Sequence, residues 1–296
     1  MRDIQIRTAP ARVALETTLL AHGVPQSEAR ALHARLCDAV RASGATPSLV
    51  GVLDGVPIAG MTDVELERML GVPGEPGEIE KANTSNLGVL MHRGKSAATT
   101  VSATMEIAAA AGIRVFATGG IGGVHRGYGT QLDVSSDLAA LARFPVAVVA
   151  SGVKSILDVE ATREALETLG VPVVGFGTDA FPAFYQRESD ARVDARFDDP
   201  AELAGYLHSE LMRTGRGVLV AHPIPELEAI DTQAFTAWVR EAEGRLAGRG
   251  IRGRAVTPAL LGLLHELSDG ATLRANVALV ESNARLAGAI AAAWAR

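Results

Sequence analysis

Lys154, Glu16 and the pair Asp133 and Asp137 are the residues whose types and spacing point to chemistry. Lys154 follows the apolar run Val146–Ala150 and the small pair Ser151-Gly152. A lysine just beyond a buried strand is partly desolvated, gives up its charge readily and can attack a carbonyl to form a Schiff base. The plainer reading is a first-turn lysine of a surface helix. Asp133 is a hard oxygen ligand able to hold a divalent cation whose shell is completed by water. Glu16 interrupts the run VALETTLL, which is apolar except for Glu16, Thr17 and Thr18. A carboxylate there is costly to bury unless it is paired or its pKa rises. Two readings stay open: Glu16 lies on the exposed face of an edge strand, or it is a carboxylic acid tuned to donate a proton.

These residues are gathered by the stretch Ala110 to Lys154. Ile113–Ala117 and Val146–Ala150 have the length and β-branched content of buried strands, and six glycines lie between them. Strand ends that open into glycine loops are where open α/β sheets bind ligands. Glycine also allows close backbone approach and can aim N–H groups at an anion. Upstream, the segment Lys95 to Met105 is dense in small hydroxyl residues and leads into an alanine-rich helix, which suits a phosphate or oxyanion at the helix start. Lys81 ends an acidic, irregular stretch and taken alone is an ordinary surface lysine.

The remaining segments supply a scaffold. Strands are expected at Ser48–Leu53, Val56–Ala59, Leu87–Met91, Pro172–Gly175 and Gly217–Ala221, with a hairpin turn at Asp54-Gly55. Thr62 with Glu65 three residues on makes a capping box for a helix Asp63–Leu70. Helices are expected from Ser27 to about Ser43, over Pro200–Arg213, and over Gln233–Gly248, Thr257–Ser268 and Leu273–Trp294. Alternating strands and helices predict an α/β class, a three-layer α/β/α sandwich around a largely parallel or mixed sheet, in one domain over residues 1–296.

Composition narrows the function. The net charge of −6 argues against a nucleic-acid or acidic-membrane binder. The single cysteine, Cys37, rules out an intrachain disulfide and reads as a core residue with no paired base. The glycine cluster reads G-G-I-G-G-V-H-R-G, which is not G-x-G-x-x-G, and no P-loop pattern is present; no H-E-x-x-H or C-x-x-C appears, which argues against a multi-His or multi-Cys zinc site. The start of the chain lacks the apolar core of a signal peptide and no run approaches a membrane span, so a cytoplasmic location is expected.

At these residues the sequence resembles the pseudouridine-5′-phosphate glycosidase family. The resemblance is carried by ALETTLLAHGVP, GVLDG, ATTVSATM, AGIRVFATGGIGGVHRG, LDVSSDLAALA, GVKSILD, LGVPVVGF, FPAFY, PIPE and TPALL, in order through most of the chain. It implies an α/β/α homotrimer with a divalent metal, usually manganese, that reversibly joins ribose 5-phosphate to uracil through a carbon–carbon bond. It further implies that Lys154 forms the Schiff base with ring-opened ribose 5-phosphate and that Glu16 is the proton donor. Asp133 matches the metal ligand, and Ser135, Ser136 and Asp137 match sugar-phosphate contacts. Lys81 and Val101 match two further substrate contacts, Asn276 the base-recognising asparagine, and His125 is a weaker candidate of that sort. Two places depart from the family: Asn83-Thr84-Ser85-Asn86-Leu87 replaces a basic stretch, and His222-Pro223-Ile224-Pro225 replaces N-P-I-P. Such departures fit an altered acceptor pocket, so the alternative is a C-ribosyl synthase that attaches ribose 5-phosphate to another aromatic ring, such as a polyketide quinone.

Overall fold

Short runs of Val, Ile, Leu and Ala can be buried on both faces only if helices cover both sides of the sheet they form. The computed structural model describes residues 4–71, 79–127, 129, 132–246 and 256–295. Within them lie β1 (Gln5–Ile6), β2 (Arg12–Glu16), β3 (Thr46–Leu53), β4 (Val56–Ala59), β5 (Glu80–Ala82), β6 (Ala97–Thr99) and β7 (Val115–Ala117). They are followed by β8 (Val124–His125), β9 (Ala147–Ala150), β10 (Leu157–Asp158), β11 (Val173–Phe176), β12 (Ala195–Phe197) and β13 (Val218–Ala221). The main sheet runs β1-β4-β3-β2-β7-β9-β13-β11-β12, with β6 and then β5 attached at β3. From β3 through to β12 every neighbouring pair along that order is parallel. The carboxyl ends of these strands therefore lie along one edge. β8 and β10 form a small antiparallel ribbon.

The helices are α1 (Thr18–His22), α2 (Gln26–Ala42), α3 (Asp63–Leu70), α4 (Leu87–His92), α5 (Val101–Ala110), α6 (Ser136–Arg143), α7 (Val159–Thr168), α8 (Pro200–Thr214), α9 (Thr232–Leu246), α10 (Val256–Leu267) and α11 (Ala271–Trp294). α11 packs on α2 and α8 and against β2, β7 and β9, while α5 packs on α6 and against β2, β3 and β4. The arrangement is the expected α/β class with helices on both sides of a mostly parallel sheet. The Thr62–Glu65 capping box forms as predicted. Among the described residues no helix is long and apolar enough to cross a membrane.

Local chemistry explains where the structure departs from the sequence reading. Leu87–Met91, expected as a strand, is α4: Asn83 Oδ1 accepts from the N–H groups of Ser85 and Asn86, and this turn starts a helix that buries Leu87 and Leu90. β6 is a strand missed in the hydroxyl-rich stretch. β2 is an interior strand between β3 and β7, which removes the edge-strand reading of Glu16. Lys154 does not begin a helix, because Asp158 caps α7 and Val159 opens it. Cys37 does have a histidine beside it, the His33 ring 3.6 Å away, but burial pushes the thiol up to about 11 and the residue acts as core packing.

One buried amide ties the carboxyl edge together. Asn283, fully buried on α11, donates from Nδ2 to the Thr118 carbonyl at 2.9 Å, the Gly119 carbonyl at 3.4 Å and Ser151 Oγ at 3.1 Å. Its Oδ1 lies 3.1 Å from His222 Nδ1. The segments after β7, β9 and β13 are thus fixed by one side chain. Asn283→Ala takes the side-chain donor from the buried Thr118 carbonyl, while Gly119 keeps the Ser151 N–H, and should lower the unfolding free energy by about 2–3 kcal/mol, read by urea denaturation.

Candidate active site at the carboxyl edge of the sheet

A cavity of about 300 Å³ opens where these strands end, and Glu16, Lys81, Lys154 and Asn276 all line it. Glu16 is the last residue of β2. Its carboxyl oxygen accepts a short hydrogen bond from the Thr118 hydroxyl, just past β7. Thr17 next to it is buried, donates to the Val50 carbonyl at 2.9 Å and accepts from the Thr99 N–H at 2.8 Å. Thr99 in turn donates to Val50 at 2.8 Å and accepts from Thr104 at 2.9 Å. This threonine cluster fixes the end of β2 and so the direction of Glu16.

Lys154 is placed by its backbone. Its N–H donates to the Ile121 carbonyl at 3.1 Å and its carbonyl accepts from the Leu157 N–H at 2.9 Å. Gly152 makes the approach possible: its φ is +74°, and a Cβ there would run into the Pro182 carbonyl. Gly119 and Gly120 form part of the cavity wall as bare backbone.

Glu16, Lys154 and Lys81 share one electrostatic environment. Burial pushes the Glu16 carboxyl above the usual carboxylate range, and the charge of Lys154 and the Thr118 hydrogen bond pull it back only in part. Lys81 keeps part of its surface exposed, yet desolvation lowers its ammonium below the usual lysine range. The positive Lys154 adds to that fall and Glu16 opposes it. A carboxyl raised above its usual range beside two amines suits acid–base work on a carbonyl compound.

Beside the cavity the starts of α5 and α6 meet. Ser102 and Ser136 hydroxyls are 3.0 Å apart, and Ser102 lies 3.2 Å from the Thr100 hydroxyl. Val101 is the buried first residue of α5, and Ser135 caps α6 by accepting from the Asp137 N–H. Two helix N-termini with rotatable hydroxyls favour an anion. Asp137 also ties the backbone. It is buried, and its two oxygens accept from the Ser102 N–H at 3.0 Å and the Gly122 N–H at 2.8 Å. The glycine N–H expected to cradle a phosphate is therefore occupied by the protein's own carboxylate, which clips the glycine loop to α5.

Asp133 and His125 lie off the cavity wall. His125 on β8 turns toward Asp133, with Nδ1 3.8 Å from Oδ2, and both are partly exposed. Among the described residues no three His, Cys, Asp or Glu side chains cluster as a ligand set for a metal. A hard cation at Asp133 would be held largely by water, a donor set that suits magnesium or manganese and not zinc. Sequence reasoning missed Thr118, Asn283 and His265. Thr118 and Asn283 meet partners far away in the chain, while His265 meets Thr272 only seven residues on and is marked out by its place on the cavity wall.

An α/β scaffold that brings a lysine and a protonatable carboxyl to one strand-end cavity, with two polar helix starts meeting nearby, is built as an enzyme. The chain belongs to the family described as Indigoidine synthase A like protein, whose sequence profile matches residues 4–293. It is 45% identical over 282 residues to a pseudouridine-5′-phosphate glycosidase of Dinoroseobacter shibae, covering 95% of this chain and 91% of the relative. It is also 45% identical to one of Caldanaerobacter subterraneus subsp. tengcongensis, covering 94% and 90%. The crystal structure of an indigoidine synthase A-like protein from Thermotoga maritima superposes with a TM-score of 0.89 at 38% identity, covering 99% of this chain and 97% of that one. The prealnumycin C-glycosynthase AlnA, solved in complex with ribulose 5-phosphate, gives 0.90 at 36%, covering 100% and 98%.

The electrostatic coupling gives a direct expectation. Because the Lys154 charge lowers the Glu16 pKa, Lys154→Met should move the Glu16 carboxyl titration further upward in a ¹³C carboxyl NMR titration. An unchanged titration would show that the Lys154 charge does not act on Glu16.

Proposed function

We propose that this enzyme makes and breaks the carbon–carbon bond between C1 of ribose 5-phosphate and a ring carbon of uracil, the bond of pseudouridine 5′-phosphate. The observation that carries this reading is the shared cavity of Lys154 and a Glu16 carboxyl raised by burial. In synthesis the Lys154 amine condenses with the C1 aldehyde of the open sugar and water leaves. The electron-rich ring carbon adds to the iminium carbon, and the ring proton passes to Glu16. The sugar's C4 hydroxyl then displaces the amine at C1, closing the furanose and freeing Lys154. Cleavage is the reverse, with Glu16 protonating the departing ring carbon. A C-glycosidic bond has no heteroatom leaving group, so an iminium electron sink does what paired carboxylates do for O-glycosides.

Family members named as pseudouridine-5′-phosphate glycosidases support the reading. So does a neighbour holding ribulose 5-phosphate, a pentose phosphate whose esterified C5 oxygen cannot close a furanose onto its ketone. In the proposal the phosphate lies at the starts of α5 and α6, with Val101, Ser135 and Ser136, while Lys81 contacts the sugar phosphate and Asn276 the base. A manganese ion at Asp133 would add positive charge to offset the phosphate. We also assign the enzyme to the cytoplasm, where phosphorylated sugars are held, and to a homotrimeric assembly. The neighbouring C-glycosynthase favours a second reading, in which ribose 5-phosphate is joined to a different aromatic ring.

Purified protein with ribose 5-phosphate, manganese and uracil should form pseudouridine 5′-phosphate by mass spectrometry. Consumption of ribose 5-phosphate only with a quinone acceptor would favour the second reading, and consumption with neither would overturn both. Lys154→Ala should abolish turnover, and Glu16→Gln should slow it by about 10²–10⁴-fold. Cleavage needs Glu16 protonated, so its rate should fall as pH rises through a carboxyl pKa above the ordinary range.

A further inference from the structure

The cavity has a wall that the sugar chemistry does not use. α10 presents Gly262 and His265 to it, three residues apart and so on one face of the helix. Glycine inside a helix costs about 1 kcal/mol relative to alanine. At Gly262 that cost leaves open space, since a Cβ there would meet nothing within 4 Å. His265 is held by its far edge: Nδ1 lies 2.6 Å from Thr272 Oγ1, which is 2.9 Å from Ser268 Oγ. Thr272 is itself fixed by its N–H donating to Ser268 Oγ at 3.2 Å. Among the described residues Nε2 has no hydrogen-bond partner. Burial keeps the imidazole below the usual histidine range, hence uncharged at neutral pH.

Among the described residues the same cavity also holds polar atoms without partners. Asn276, 8% exposed, has a buried Oδ1 that accepts nothing, and the buried Thr18 hydroxyl is likewise unmatched. Buried polar groups left unpaired are costly, and a ligand that brings a partner to them would relieve that cost. A ring bearing only carbonyls has no donor for Asn276 Oδ1. A ring with alternating N–H and C=O groups has one.

We propose that His265, with the gap at Gly262, is the specificity wall for the aromatic half of the substrate, recognising the N–H and C=O edge of a pyrimidine-type ring through Nε2. The proposal rests on the sugar reading above and adds the residues that select the acceptor. Thr272 is a positioning residue, since it orients the ring without reaching the ligand. Gly262 sets the room available, so a larger side chain there should exclude the ring while sparing the sugar.

Calorimetric titration with two probes, ribose 5-phosphate and pseudouridine 5′-phosphate, separates the two halves. In wild type the C-nucleotide should bind more tightly than the sugar phosphate. His265→Ala should bind ribose 5-phosphate within about twofold of wild type and pseudouridine 5′-phosphate at least about tenfold more weakly, the loss of one hydrogen bond to a ligand. His265→Gln should recover most of that loss, and Gly262→Leu should repeat the selective loss. Thr272→Val should weaken the C-nucleotide to a smaller degree. Unchanged affinity for the C-nucleotide in His265→Ala, or equal losses for both probes, would overturn the assignment. So would a wild-type protein that does not prefer the C-nucleotide. A wild type that binds neither probe would fail the sugar reading itself, an outcome distinct from these.

Discussion

Parallel strands that end together leave carbonyl groups pointing into a region too dry for water to serve them, and everything at this site depends on how those groups are satisfied. Asn283 answers the constraint. It reaches from α11 to the Thr118 and Gly119 carbonyls and to Ser151, and it meets His222 with its other end. The strand ends can then diverge into glycine loops with the Thr118 and Gly119 carbonyls paired. The gap between them becomes a cavity with its walls already in place. α11 carries Asn276 seven residues earlier, about two turns along the same helix face, so one helix both closes the strand ends and lines the ligand space.

A second carboxylate plays the matching part on the other side. Asp137 bridges the Ser102 and Gly122 N–H groups and holds the glycine loop against the start of α5. Its negative charge raises Glu16 further, as a lesser contribution beside burial. The site thus combines a carboxyl that its surroundings favour in the protonated form with a Lys81 ammonium weakened by desolvation and by the neighbouring Lys154 charge. Burial leads both shifts, and nearby charges modify them, with the Thr118 hydrogen bond also acting on Glu16, while Asp133 lies away from the cavity wall.

Much of this is legible in the chain. The β-branched runs around the glycine stretch, the Thr62–Glu65 box and the long C-terminal helices follow from local pattern, because each is decided within a few residues. Glu16 and Lys154 stand out for a physical reason: ionisable groups at the ends of apolar runs are expensive unless used. Sequence leaves Glu16 undecided because strand order decides it, and β2 becomes interior only when β7 packs beside it. The α4 segment misleads because an Asx turn at Asn83 outweighs the apolar run that follows. His265 and Asn283 carry no local signal at all; one is defined by a cavity and the other by carbonyls 164 and 165 positions away. The glycines do permit close approach, as their number suggests, but they do not all form an anion cradle, since Asp137 already fills that role at Gly122.

The central claim is that Lys154 is the amine that holds the opened sugar, although Lys81 shares the cavity and has an ammonium weakened by desolvation. The most direct test is to incubate the wild-type protein with ribose 5-phosphate and borohydride, digest it and map the modified peptide by tandem mass spectrometry. A reduced pentose-phosphate adduct on Lys154 is the predicted result. An adduct on Lys81 instead, or no adduct under conditions in which ribose 5-phosphate is turned over, would contradict the account.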